Sequence, residues 1–132
     1  MPKNELVQAA HKAQQAAYAP YSKYRVGAAL RTRSGKVYLG ANIENAAYPD
    51  SICAERVAVF SAIMQGERDF DSIAVVTHNG GSPCGSCRQV LAEFALQATV
   101  LIANEAGEIL QETTVAELLP GAFVPSKLGI TP

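Results

Sequence analysis

Three cysteines and one glutamate are the residues of this chain whose types and spacing could bind a metal or support catalysis. Cys53, Cys84 and Cys87 are its only thiols, they lie in the short segments SICAER and SPCGSCRQ, and Glu55 follows the first of them by two residues. Thiolates bind metals and exchange electrons, and a carboxylate moves protons. The pattern therefore predicts a metal site, a redox pair or inert buried thiols, and the placement of the thiols on secondary structure must separate these alternatives.

Composition restricts the classes of partner and compartment. Three cysteines cannot all pair, and the N-terminal residues MPKNELVQAAHKAQQAA lack the apolar core of a signal peptide, so we expect free thiols and a cytoplasmic protein. No apolar run approaches the roughly 18 residues of a membrane span. The net charge of −1 favours neither nucleic acid nor membrane as a partner. A length of 132 residues with 48% hydrophobic residues predicts one domain, residues 1–132, with its own core.

Hydrophobic spacing and turn residues predict the element order α-β-β-α-β-α-β-β-α. The segment 72–103 should form a parallel strand–helix–strand crossover. We therefore predict an α/β fold of three layers, α-β-α, around a five-stranded mixed sheet. The predicted elements are a helix at 4–17, strands at 24–33 and 36–41, a helix at 53–64 with Cys53, Val57, Phe60 and Met64 on one apolar face, a strand at 71–77, a helix with Ser82 as N-cap and Pro83 at its first position, strands at 98–104 and EILQETT, and a short helix VAELLP.

On this scaffold all three thiols fall at helix starts. Helix N-termini carry unpaired N–H groups and partial positive charge, which favour the thiolates that zinc requires. Two helix starts meeting at one end of a sheet would offer three ligands for zinc. A structural zinc site usually has four protein ligands, whereas a catalytic one leaves a position for water. Glu55 would lie close to that position and could transfer protons there.

Other interpretations remain open at this point. His78, six residues before Cys84, would serve as the fourth ligand of a structural zinc site. A redox CxxC motif would leave Cys53 unexplained, lone cysteines are often inert core residues, and Glu55 would then be a solvated charge. His11 is expected to be solvated on the polar N-terminal helix.

The two cysteine segments resemble a known signature. CAE followed by PCGSCRQ is similar to the [HC]-x-E and P-C-x-x-C motifs of the zinc-dependent nucleoside and base deaminases. YAPYSKYRVGAAL, GANIENAAY, PCGSCRQVLAEF and ELLPGAF extend the resemblance, over roughly residues 7 to 123, to cytidine deaminases of the short, homotetrameric type. Tyr24 is a departure, because this family usually has Phe at that position.

The resemblance implies a cytidine deaminase-like fold and a reaction. Cys53, Cys84 and Cys87 would bind Zn²⁺, and Glu55 would be the catalytic proton shuttle between water and the cytosine ring. The implied reaction is the hydrolytic deamination of free cytidine and deoxycytidine to uridine and deoxyuridine plus ammonia, as in pyrimidine salvage.

The resemblance also implies how a nucleoside would be bound. Asn42 and Glu44 match the pair that holds the ribose hydroxyls, the backbone of Ala54 would read the base edge, and Tyr24 would lie near the sugar. Phe123 matches an aromatic residue that packs on the base from a neighbouring subunit. A homotetramer with active sites shared between subunits is therefore expected.

Arg56 is predicted to tune the metal. Three thiolates on Zn²⁺ give a centre of net charge −1, which would weaken its acidification of water. Arg56, three residues after Cys53, could donate to a ligand sulfur and restore the electrophilicity of zinc. Its alternative is a surface salt bridge.

Three other functions remain as alternatives. A deaminase of a cytosine-containing antibiotic of the blasticidin S type would use the same chemistry. An enzyme acting on cytosine in a polynucleotide fits poorly, because eleven Lys and Arg balance twelve Asp and Glu and there is no Trp. A non-catalytic zinc-binding module would bind the metal without turnover.

Overall fold

The computed structural model describes all 132 residues and has the predicted order of helices and strands. None of its helices combines the length and the apolarity that crossing a membrane requires. Two 3₁₀ turns, Tyr48–Asp50 and Pro125–Leu128, accompany the regular elements. These elements are α1 (Lys3–Gln14), β1 (Gly27–Thr32), β2 (Val37–Ala41), α2 (Ala54–Met64), β3 (Phe70–Thr77), α3 (Gly85–Ala95), β4 (Thr99–Asn104), β5 (Ile109–Thr114) and α4 (Val115–Leu118).

The five strands form one mixed sheet in the order β2-β1-β3-β4-β5. β3 and β4 are parallel, as the crossover through α3 predicts, and every other neighbouring pair is antiparallel. β5 lies at the edge, as predicted. The prediction of a three-layer α/β fold with a five-stranded mixed sheet is confirmed.

Both faces of the sheet are covered, which explains the continuous apolar runs of its central strands. Alternate residues point to opposite faces. Ala74 and Leu101 pack with α1 on one face, whereas Ile73, Val75 and Val100 pack with α2 and α3 on the other. The metal-ligand candidates all belong to the α2 and α3 layer.

The apolar face that the spacing singled out on α2 is not the face that packs on the sheet. Phe60 is 43% exposed and Met64 is 81% exposed. A Cβ atom at Gly40 of β2 would overlap the carbonyl oxygen of Ala54 and lie 2.5 Å from the backbone nitrogen of Ala58, so helix and strand approach closely. Such a short separation admits mainly small side chains. The residues that α2 buries are Ala54, Glu55, Ala58, Val59 and Ala62.

The predicted start of α3 was wrong by two residues. The helix begins at Gly85, and Cys84, with extended backbone angles, is its N-cap. Ser82 and Pro83 stay in the preceding loop because the guanidinium of Arg88 binds both: Nη2 donates to Ser82 Oγ at 2.7 Å and Nε donates to the Pro83 carbonyl at 2.8 Å. A side chain from the helix thus fixes the loop that enters it.

Candidate active site

The three sulfurs meet where α2 and α3 begin. Cys53 is the N-cap of α2, Cys84 is the N-cap of α3, and Cys87 is in the first turn of α3. The Sγ atoms of Cys53 and Cys84 are 3.9 Å apart, those of Cys84 and Cys87 are 3.4 Å apart, and all three lie within 4.8 Å of one another. The predicted convergence of two helix starts is present.

This cluster fits a tetrahedral zinc ion. Zinc–sulfur bonds of about 2.3 Å in tetrahedral geometry place ligand sulfurs about 3.8 Å apart, close to the separations found here. His78 is not part of the cluster: its side chain is 81% exposed, and its Nδ1 lies 3.6 Å from a carboxylate oxygen of Glu105. The structural site with His78 as fourth ligand is therefore wrong, and the protein offers three sulfur donors.

Negative charge is favoured on one of the three sulfurs, that of Cys53. The hydrogen bond with the Cys87 thiol and the guanidinium of Arg56 lower the pKa of Cys53 to about 5, against the opposing effect of its burial. Arg56 Nη2 donates to Cys53 Sγ at 3.3 Å. The pKa of Cys87 is raised, chiefly by the same hydrogen bond with Cys53 and then by burial, so Cys87 retains a proton that a metal ion would displace.

Glu55 is a buried acid beside this cluster. It is the second residue of α2, is only 5% exposed, and lines the same cavity as Cys53 and Cys84. Burial raises its pKa to about 7, and the negative charge of Cys53 acts in the same direction. A carboxyl group with this pKa can both accept and release a proton near neutral pH.

The cavity that contains these groups has a volume of about 330 Å³ and is also lined by Asn42 and Glu44. No lysine or arginine lines it, whereas the acidic side chains of Glu44 and Glu55 and the sulfurs of Cys53 and Cys84 do. Its size suits a ligand of a few rings, and its charge disfavours an anionic one.

Glu44 is held by the loop that follows α1. Its Oε1 accepts hydrogen bonds from the backbone N–H groups of Tyr21 at 3.0 Å and Ser22 at 3.1 Å, and its Oε2 accepts a short hydrogen bond from Ser22 Oγ. The Ser22 side chain contributes most to lowering the pKa of Glu44, so the group is a carboxylate. Sequence reasoning missed Ser22, since its partner lies 22 residues away and no spacing rule connects the two.

Asn42 is held by the same segment. Its Oδ1 accepts from the N–H of Val26 at 2.9 Å, and its Nδ2 donates to the carbonyl of Tyr24 at 2.8 Å. The amide thus supports a turn, and it also lines the cavity with one lone pair and one N–H still available. Tyr24 lines the cavity as well.

The two remaining predicted substrate-binding residues, Ala54 and Phe123, do not line the cavity. Ala54 is fully buried at the first position of α2, where helix N–H groups have no intrahelical acceptor. Phe123 is 56% exposed in the segment after α4, where its carbonyl accepts a hydrogen bond from Gln89 Nε2 at 2.7 Å. The structure does not bring Phe123 into the cavity of its own chain.

Comparisons with known proteins agree with this geometry. Residues 2–103 match the family model described as the cytidine and deoxycytidylate deaminase zinc-binding region. The chain is 51% identical to a cytidine deaminase of Sporosarcina psychrophila (95% of this chain and 93% of the relative) and 51% identical to one of Halalkalibacterium halodurans (98% and 99%). It is 37% identical to a blasticidin-S deaminase of Bacillus cereus (75% and 76%). The crystal structure of cytidine deaminase from Burkholderia pseudomallei superposes with a TM-score of 0.89 at 46% identity, covering 93% of this chain and 100% of that one.

Proposed function

The chain belongs to the cytidine and deoxycytidylate deaminase family, and we propose that it is a zinc-dependent enzyme that hydrolyses free cytidine and deoxycytidine to uridine and deoxyuridine plus ammonia. The observation that carries this proposal is a cluster of three sulfurs within 4.8 Å of one another, two of which, those of Cys53 and Cys84, line one cavity together with the buried carboxyl group of Glu55. Residues 1–132 act as one catalytic domain in this proposal.

Cys53, Cys84 and Cys87 hold the metal. When bound, zinc would act as a Lewis acid that lowers the pKa of water, so that water can lose a proton and act as a nucleophile near neutral pH. Glu55 takes the proton of the attacking water and delivers it to N3 of the cytosine ring, which makes C4 more electrophilic. Glu55 then transfers the second proton of that water to the exocyclic amino group, and the C4–N bond breaks to release ammonia. A carboxyl group with a pKa of about 7 suits both directions of transfer.

Arg56 adjusts the charge of the centre. Its hydrogen bond to Cys53 Sγ draws electron density from one ligand sulfur. Since three thiolates outweigh the charge of a divalent ion, this donation keeps the metal electrophilic. Arg56 forms no ion pair with a carboxylate, so its side chain binds the sulfur of Cys53 rather than a surface salt-bridge partner.

Asn42 and Glu44 bind the sugar. The Glu44 carboxylate accepts hydrogen bonds from the hydroxyls, and the free amide positions of Asn42 add a donor and an acceptor. The backbone N–H of Ala54 reads the base edge from the start of α2. Because no cationic side chain lines the cavity, a 5′-phosphate has no counter-charge there, which favours nucleosides over nucleotides.

The chain works as a homotetramer with shared active sites. Phe60 and Met64 of α2 are exposed beside a groove formed with Tyr38, Ile52 and Val57, an apolar surface that a second copy of the chain would cover. Phe123, exposed and outside its own cavity, then reaches the base bound in a neighbouring subunit.

The assembly is tested by light scattering after gel filtration. Met64→Lys should lower the mass below that of a tetramer, because it places a charge in the apolar interface. Gln8→Lys adds the same charge on the exposed surface of α1 and should leave the mass unchanged. A wild-type monomer that turns over normally would contradict the shared site.

The reaction is tested by following ammonia release from the purified protein, with zinc content measured on the same sample. Cytidine and deoxycytidine should react, whereas deoxycytidine 5′-monophosphate and cytosine should react at least tenfold more slowly. Preferential release from blasticidin S would identify an antibiotic deaminase instead. Zinc binding without any ammonia release would indicate a non-catalytic module.

A cytoplasmic role in pyrimidine salvage is consistent with this chemistry. Three free cysteines whose sulfurs lie within 4.8 Å of one another stay unpaired most readily in a reducing compartment. Free nucleosides from nucleic-acid turnover are the substrates that a salvage enzyme meets.

A further inference from the structure

Tyr24 occupies the centre of a hydrogen-bond network on one wall of the cavity. Its N–H donates to Ser22 Oγ at 3.0 Å, its carbonyl accepts from Asn42 Nδ2 at 2.8 Å, and its hydroxyl donates to Asn79 Oδ1 at 2.7 Å. The first two contacts link its backbone to groups on the proposed sugar side. The third contact spans 55 residues of sequence and reaches the loop between β3 and α3.

That loop leads to a metal ligand. It runs from Thr77, the last residue of β3, to Cys84, the N-cap of α3. The N–H of Gly81 donates to the buried hydroxyl of Thr77 at 2.7 Å, which fixes the loop from the inside. The bond from Tyr24 to Asn79 fixes it from the other side. The loop is therefore fastened at two points before it reaches Cys84.

Gly81 leaves room for the phenol. A Cβ atom at this position would overlap the hydroxyl oxygen of Tyr24, while the next atoms, Tyr24 Cζ and Thr77 Oγ1, would lie at ordinary contact distances of 3.6 and 3.7 Å. The hydroxyl of Tyr24 thus fills the space that any side chain at position 81 would need.

The backbone next to Tyr24 is also specialised. Lys23 has φ +61°, the one left-handed non-glycine residue in the chain. This turn lets the adjacent Ser22 and Tyr24 both line the cavity. Left-handed residues outside glycine persist where the surroundings determine the conformation, and here both neighbours are hydrogen-bonded.

We propose that the Tyr24–Asn79 bridge, the hydrogen bond from the Tyr24 hydroxyl to Asn79 Oδ1, is a positioning device that holds the sugar-side segment and the loop to Cys84 at a fixed separation before the nucleoside enters. The identity of the ligand rests on the proposed function, whereas the bridge itself does not. A preformed wall lowers the ordering cost of binding, so the bridge acts on KM and Kd more than on kcat. A phenylalanine at position 24 would keep the ring and lose this restraint.

Two single variants and their combination test the bridge. Tyr24→Phe and Asn79→Ala should each weaken the equilibrium binding of uridine, the product of the proposed reaction, by about threefold to tenfold, the range of one ordinary hydrogen bond. The double variant should bind no more weakly than the worse single one, because both remove the same bond. Tyr18→Phe is the matched control: this exposed hydroxyl has no hydrogen-bond partner, and binding should stay within twofold.

Gly81→Ala tests the bridge from the opposite side. In the wild-type background the new methyl group should displace the phenol and weaken uridine binding about as much as Tyr24→Phe does. In the Tyr24→Phe background the oxygen is gone, so Gly81→Ala should add less than a twofold effect. Additive effects of the two substitutions would overturn the proposal.

Hydrogen exchange gives a readout that needs no ligand. In Tyr24→Phe the backbone amides of residues 79–82 and of Cys84 should exchange at least threefold faster, while those of β4 remain unchanged. Faster exchange with weaker uridine binding supports the bridge, and unchanged exchange of this loop overturns it. A wild-type protein that releases no ammonia from cytidine would contradict the proposed function, and the exchange result would still decide on the bridge.

Discussion

The sulfur centre, which consists of the three cysteines and Glu55, is built at the starts of two helices that pack on the sheet. The sugar wall, which consists of residues 21–26 with Asn42 and Glu44, is built from loops joined by hydrogen bonds. Helices packed on a sheet hold chemical groups to within a fraction of an ångström, and loops can change to suit a ligand. From this contrast we infer that the sulfur centre carries out the chemical step and that the sugar wall determines how tightly the substrate binds. Changes in the sulfur centre should appear in kcat, and changes in the sugar wall should appear in KM.

The largest effect is expected at the sulfur centre. Glu55→Gln keeps the shape of the side chain and removes its ability to move protons, so kcat for cytidine should fall about 10³-fold. Zinc per chain should remain at the wild-type value, since the three sulfurs are untouched.

Glu93→Gln, on the exposed side of α3, is the matched control and should leave kcat within twofold. A kcat for Glu55→Gln within tenfold of wild type would remove Glu55 from the proton pathway.

A smaller effect, on KM rather than on kcat, is expected at the sugar wall. Glu44→Gln replaces one oxygen of a carboxylate that accepts from two backbone N–H groups and a serine hydroxyl, and that in the proposed function also accepts from the sugar. Hydrogen bonds to charged groups are worth enough to raise the KM for cytidine about 30-fold, with a smaller change in kcat. Steady-state kinetics would measure both, and Glu5→Gln on the surface of α1 serves as control. A decrease confined to kcat would contradict the proposal that the sugar wall acts on KM and the sulfur centre on kcat.

The smallest of these effects is expected at Arg56, which belongs to α2 and donates a hydrogen bond to the Cys53 sulfur. Arg56→Gln should lower kcat about tenfold with zinc still bound, because ligand partners beyond the metal typically have effects of this size. Arg68→Gln, near the other end of the same helix, should leave turnover unchanged. Equal turnover in Arg56→Gln and wild type would show that the hydrogen bond to Cys53 does not tune the centre.

The sulfur centre was predictable because its information is local. Cys-x-Glu and Cys-x-x-Cys at two helix starts define which side chains point the same way within one turn, and the parallel crossover brings those starts to one end of the sheet. The face of α2 was less predictable. Larger apolar residues at Phe60 and Met64 and alanines at Ala58 and Ala62 both recur at helical spacing, and the close approach at Gly40 selects the alanines.

The sugar wall could not be derived from spacing. Ser22 contacts Glu44 across 22 residues, and Tyr24 contacts Asn79 across 55, so neither pair leaves a periodic signal. The start of α3 fails for a similar reason: Ser82 and Pro83 are typical of a helix N-terminus, yet the side chain of Arg88 holds them in a loop. Only the resemblance to a family pointed to Asn42 and Glu44 in advance.

X-ray absorption at the zinc edge of the purified protein tests the central claim, a metal held by three sulfurs with one position left for solvent. The account predicts one zinc per chain, with three sulfur atoms at about 2.3 Å and one oxygen at about 2.0 Å. A fourth sulfur or a histidine nitrogen in the first coordination shell, or a protein that binds no zinc, would contradict it.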